Sequence, residues 1–208
     1  MAEVYTKAQI DEIAAIIGDR IKANRGFPGS PHAMEPGLAA GEYITAALNG
    51  LAPGTGPTAA GRLEFMPFRP GKTITVDNMV IDVTTAVAAS QARIGIYSSL
   101  ASGLPGALLT GQGTLLDCAS TGSKASAIAG GLLLQAGTLY WLAVHGSSTQ
   151  TFRALPIGAL MPLPIAQTST AHNTQRRATA TFANGLPAAA PATTLTSAVC
   201  PMVKLRVA

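Results

Sequence analysis

The feature that most constrains the fold is a two-residue alternation of apolar and polar side chains, which begins at Leu63 and recurs in short segments to the C-terminus. Successive side chains of a β-strand point to opposite faces, so this period predicts strands with one buried face. The clearest examples are Leu63 and Phe65; Met79, Ile81 and Val83; and Ala92, Ile94 and Ile96.

One phase slip interrupts the pattern. Ile74 and Val76 are in phase with each other but out of phase with Met79 and its partners, so the chain shifts by one residue near Asp77–Asn78. Either a β-bulge or a bend between two strands explains the shift. Farther along, Trp141 shares its phase with Leu139 and Ala143, which predicts a core tryptophan. Tyr140 is then expected to face outward, unless an assembly covers both faces of the sheet.

Further strands are expected throughout the second half of the chain, separated by Gly-, Pro- and Ser-rich turns, at Gly113–Cys118, Ser123–Ile128, Thr138–His145, Thr151–Ala154, Ala178–Phe182 and Val199–Val207. About eight antiparallel strands without intervening helices predict an all-β fold, a jelly-roll-like β-sandwich over residues 62–208.

The N-terminal segment has a different period. Isoleucines recur at spacings of three and four, which places them on one face of a helix, at Ile10, Ile13, Ile17 and Ile21. Thr6 and Gln9 form a capping-box pattern, and Gly26 follows the last turn. We therefore expect a helical segment over residues 1–25, whose isoleucine stripe needs a partner: another copy, the β domain or a different protein. This stripe is the predicted anchoring or oligomerisation site.

Residues 26–61 are rich in Gly and Pro, which disfavours long regular elements and predicts a linker. Tyr43 and Ile44 are the best candidates within it for a short extended piece that docks on the domain.

Composition narrows the function classes. The net charge of +4 is scattered, and the only tight basic group, Arg176–Arg177, is interpreted as a solvated pair in a polar loop, so no nucleic-acid partner is expected. Charged residues interrupt the N-terminal region where a signal peptide would need an apolar run, and no run of 18 apolar residues occurs, so neither signal-directed export nor membrane insertion is expected.

No catalytic residue, metal site or cofactor is predicted. The motifs HExxH, Gly-x-Ser-x-Gly and Gly-Lys-Ser are missing, and His32, His145 and His172 lack nearby ligands in the sequence. Glu64 and Asp82 fall in the outward phase of their strands, which favours solvated carboxylates over a glycosidase pair. Cys118 and Cys200 are expected to be free, buried thiols rather than a disulfide.

The chain from Tyr43 onward resembles the β-sandwich domains of phage head-fibre, tail-fibre and minor structural proteins. The resemblance covers about three quarters of the sequence, in the segments 62–68, 74–85, 92–97, 103–109, 134–144 and 203–207. It implies a virion appendage, often one that attaches to the host surface, and the N-terminal helix resembles the docking tip of such fibres.

These features predict a non-enzymatic virion protein, a fibre, spike or decoration, that is anchored by its N-terminus and presents the sandwich outward. Its expected partners are other capsid or tail proteins, further copies in a homo-oligomer for which a trimer is favoured, and host-surface polysaccharide. Such a protein would assemble in the host cytoplasm and leave by lysis. The alternative is a purely structural decoration without an external ligand; a glycan-active enzyme is disfavoured by the missing carboxylate pair.

Overall fold

The computed structural model describes residues 38–45, 53–111, 114–155, 175–196 and 199–208. Its internal contacts divide the chain into two units, Met1–Leu38 and Ala39–Ala208, and the described residues after Leu38 belong to the second unit. The predicted helix with Ile10, Ile13, Ile17 and Ile21 lies outside the described residues, as do His32 and His172.

The described residues form an all-β structure of two antiparallel sheets that pack together, so the predicted fold class is confirmed at the level of a β-sandwich. The strands are β1 (Tyr43–Ile44), β2 (Gly54–Pro57), β3 (Arg62–Phe68), β4 (Ile74–Thr85), β5 (Gln91–Ser99), β6 (Pro105–Thr110), β7 (Leu116–Asp117), β8 (Gly122–Leu134), β9 (Tyr140–Gly146), β10 (Thr151–Leu155), β11 (Gln175–Thr179), β12 (Thr194–Thr196), β13 (Cys200–Pro201) and β14 (Lys204–Val207).

The first sheet contains β1, β2, β4, β8, β10, β13 and β14. Its long central strand, β4, pairs with β8 on one side and with β14 and β10 on the other. The second sheet has the order β12-β11-β3-β9-β5-β6, and β7 pairs with β5 beside β6. β6 and β7 therefore form one edge of the second sheet, and β8 forms an edge of the first.

The alternating residues behave as predicted. Met79, Ile81 and Val83 are buried on β4, and Ile94 and Ile96 are buried on β5, so these side chains fill the core between the sheets. The phase slip at Asp77 is a β-bulge within one continuous strand: Arg206 and Val207 of β14 are consecutive but pair with Asn78 and Val76, so Asp77 is an extra residue of β4. On the other side of β4, four residues of β8, 128–131, stand opposite Asp77. Gly130 and Gly131 have φ values of +75° and +70°, a conformation that glycine adopts without strain.

A second apolar cluster lies on the other face of the second sheet. Trp141 is fully buried there, as predicted, and it shares the cluster with Leu63, Phe65 and Tyr97 under Leu186. The segment that follows β11 covers this face, and the Tyr97 hydroxyl donates a 2.8 Å hydrogen bond to the carbonyl oxygen of Pro187. Both faces of the sheet are thus buried, and the outward-facing Tyr140 was a wrong prediction because this side chain is only 7% exposed.

The predicted linker over 26–61 contributes two strands where it is described. Tyr43–Ile44 pairs with β14, which confirms the expected docking piece, and Gly54–Pro57 pairs with β10. Phe182, predicted as the end of a strand, instead begins a short 3-10 helix that packs its ring against His145 at 5.1 Å between centroids.

Candidate functional site

The outer face of the first sheet carries a row of paired charges that we call the polar face, defined by Tyr43, Asp77, Asp82, Lys204 and Arg206. The guanidinium of Arg206 donates two hydrogen bonds to the Asp77 carboxylate, at 2.8 and 2.9 Å. Tyr43, half exposed at 51%, stands directly opposite Arg206 on the neighbouring strand. An exposed aromatic ring therefore lies beside a planar, bidentate ion pair.

A second ion pair continues the polar face along the same strand. Lys204 Nζ lies 2.7 Å from Asp82 Oδ2, and the Ser123 hydroxyl on β8 also donates to that carboxylate. Lys204 and Arg206 are two residues apart on β14, and each reaches a different carboxylate of β4, so the polar face presents two separate ion pairs.

Hydrogen bonding holds the polar face in its charged form. The hydrogen bond from Arg206 lowers the pKa of Asp77, and the same contact raises the pKa of Arg206. Burial opposes ionisation of Asp82, but hydrogen bonds from Lys204 and Ser123 outweigh it and lower the pKa of that carboxyl. Carboxylates with lowered pKa values suit charge pairing and hydrogen bonding to hydroxyl groups, whereas a general acid needs a raised pKa.

The other described carboxylates also make structural contacts. Asp117 accepts a hydrogen bond from the Ala119 amide, and Glu42 accepts one from the Ala39 amide. Glu64 is buried and receives a 2.8 Å hydrogen bond from Arg177. In the sandwich, these acidic groups tie turns and strands to one another.

Glu64 and the two arginines were placed wrongly from the sequence. Arg176 and Arg177 lie on β11, paired with β3, and Arg176 is 7% exposed, so they are neither in a loop nor fully solvated. The side chain of Glu64 is 1% exposed, because β11 brings the Arg177 guanidinium to it in the interior. Asp82 does face outward, as predicted, and is partly exposed.

Cys118 and Cys200 are free and buried, as predicted. Burial raises the pKa of Cys118 to about 11 and the pKa of Cys200 well above the ordinary thiol value, so neither is a reactive thiolate at neutral pH. Within the described ranges, no group of three or more His, Cys, Asp or Glu side chains is arranged to hold a metal ion. The same residues include no helix of the length and apolarity needed to cross a membrane.

The polar face was not predicted from the sequence, although the sequence of the last strand indicates part of it. The alternation Lys204-Leu205-Arg206-Val207 predicts two cations on one face of the last strand. What the sequence does not show is that β14 pairs with the bulged part of β4 and with Tyr43. Neither a scan against protein-family models nor a search of curated proteins matches this chain.

Proposed function

We propose that this protein is a non-enzymatic virion component, a fibre, spike or decoration, that is anchored by its N-terminal isoleucine stripe and presents a jelly-roll-like sandwich outward to bind host-surface polysaccharide. The polar face is the observation that carries the binding role. An aromatic ring can stack on the apolar face of a sugar, while carboxylate and guanidinium groups held in fixed geometry hydrogen-bond to its hydroxyls.

Jelly-roll-like connectivity is supported by the path of the chain. It crosses from the first sheet to the second and back repeatedly: β3 lies in the second sheet, β4 in the first, β5 to β7 in the second, β8 in the first and β9 in the second. Such crossings place consecutive strands in opposite sheets, as in double-sheet jelly rolls.

Polysaccharide binding can be tested with the full chain on a panel of bacterial surface glycans, comprising lipopolysaccharide O-chains, teichoic acids and capsules. We expect binding to one class and at least a tenfold loss in Tyr43→Ala, because the ring is exposed and its removal leaves the β1 backbone pairing in place. Arg69→Ala, which removes another exposed side chain in the turn after β3, is the matched control and should bind normally.

Two outcomes would oppose this role: a wild-type chain that binds none of the glycans, or a Tyr43→Ala protein that binds as well as wild type. The remaining candidate would then be the purely structural decoration. Exposed leucines at one edge of the sandwich favour that second candidate, because apolar side chains at an edge suit contacts with protein.

A further inference from the structure

One edge of the sandwich combines an open strand with exposed leucines. We call it the lateral edge: β8 in the first sheet, with β6 and β7 in the second. β7 and β8 contact each other and are joined by a short connection, so the two sheets end on the same side of the sandwich. Among the described residues, β8 pairs with β4 alone, and no described strand takes up the backbone groups along its other side.

The strands of the two sheets differ in how they are covered at this edge. β6 is capped by the segment 188–190: the Leu108 amide donates to the Ala188 carbonyl at 2.9 Å, and the Ala190 amide donates to the Gly106 carbonyl at 2.8 Å. β8 has no such cover in the described part of the chain. Unpaired strand edges of this length are templates for strand addition unless charge, proline or a bulge blocks them.

The bulge that could prevent strand addition to β8 lies toward the C-terminal end of the strand. The bulge at 128–131, with its two left-handed glycines, interrupts the far end and leaves residues 122–127 regular. The only charge on the strand is Lys124, and its ammonium is turned to Ser120 Oγ at 2.8 Å. A regular six-residue window, 122–127, in which the side chains other than Lys124 are small, is therefore unpaired on its outer side among the described residues.

The lateral edge also carries exposed apolar side chains. Of the five large apolar side chains exposed in the described residues, four lie on the strands and turns of the lateral edge, at Leu100, Leu109, Leu115 and Leu133. The regular part of β8 spans about 20 Å, and two sheets about 10 Å apart give an edge about 20 Å wide with its side chains. This part of the edge offers on the order of 400 Å², about half the area that each partner contributes to a standard stable interface, and the backbone hydrogen bonds of strand pairing add to it.

We propose that a second copy of this chain binds at the lateral edge, with residues 123–127 of the two β8 strands paired antiparallel about Ala125. This register is self-complementary. Ala125 faces Ala125 of the second copy, and each Lys124 faces Ser126 rather than the other lysine, so no like charges are opposed. The two first sheets then run together as one continuous sheet.

Cysteine cross-linking of the full chain tests both the surface and the register. Directly opposed antiparallel residues have Cα atoms about 4.5 to 5.5 Å apart, within disulfide range. Ala125→Cys should therefore give a covalent dimer under mild oxidation. Ala127→Cys is on the same exposed face, but its two copies would lie four residues out of register, about 13 Å apart, beyond disulfide reach.

Ala60→Cys, an exposed alanine in the turn before β3, is the control for random collision, and the native cysteines are buried. We expect at least ten times more covalent dimer from Ala125→Cys than from either other variant. Dimer from Ala125→Cys no greater than from Ala60→Cys overturns the proposal, and so does cross-linking of Ala127→Cys to the same extent as Ala125→Cys. The result does not depend on glycan binding, so the two proposals fail separately.

Discussion

Replacing Trp141 by alanine probes the part of the fold that covers the second sheet. The indole is fully buried among Phe65, Tyr97 and Leu186, so the substitution leaves a cavity between the sheet and the segment that follows β11. Trp side chains bury about 150 to 250 Å². At about 25 cal/mol per Å² that area is worth roughly 4 to 6 kcal/mol. Residual structure in the unfolded chain reduces this to about 3 to 5 kcal/mol, the range measured for such truncations.

The assay is urea unfolding followed by far-ultraviolet circular dichroism, with glycan binding measured in parallel below the transition. We expect the midpoint to fall with little change in slope, and binding to persist, because Trp141 is in the core and the polar face is on the other sheet. Unchanged stability with lost binding would refute this reasoning and make Trp141 a recognition residue.

Three further predictions concern the buried charge, pH and the division of the chain. Arg177→Leu should lower the free energy of unfolding in urea by about 3 kcal/mol, because the buried Glu64 carboxylate loses its ion-pair partner at 2.8 Å. Adding Glu64→Gln should recover part of that loss, and an Arg177→Leu protein as stable as wild type would contradict the pairing. Burial lowers the pKa of His145 below its ordinary 6.5, so unfolding takes up a proton and the melting temperature should decline as pH drops below 6.5; a flat profile between pH 7 and 5 would count against a buried neutral imidazole. A second decline should begin below about pH 4, because the hydrogen bond from Arg206 lowers the pKa of Asp77 and the unfolded chain then binds this proton more readily than the folded one. A chain truncated to begin at Gly37 should melt cooperatively with a β-type dichroism spectrum, whereas an insoluble or molten product would show that the preceding residues belong to the core.

The sequence was sufficient for features that depend on local periodicity. Alternation located the core of β4, β5 and β9, and the phase slip placed the bulge at Asp77 because a one-residue shift moves every following side chain to the other face. Trp141 was assigned to the core from its phase alone.

Features set by distant pairing could not be predicted in this way. Glu64 and Arg177 are 113 residues apart, and only the pairing of β3 with β11 turns a polar position into a buried ion pair. Tyr140 lies on the strand face opposite Trp141, and because a second layer of chain covers the Trp141 side, the Tyr140 side is the one that packs against the first sheet. The polar face likewise depends on β14 joining β4 to β1.

The central claim, a virion component held by its N-terminus, is tested most directly by measuring the chain in purified particles. Gradient-purified particles from complemented cells would be compared for the wild type and for Ile17→Glu, which places a charge in the middle of the isoleucine stripe. We expect wild-type chain at a fixed copy number per particle and the variant, with an unchanged melting temperature, to remain in the soluble fraction. A wild-type chain that never co-sediments with particles would contradict the virion assignment, and an Ile17→Glu chain incorporated at wild-type level would contradict the anchor.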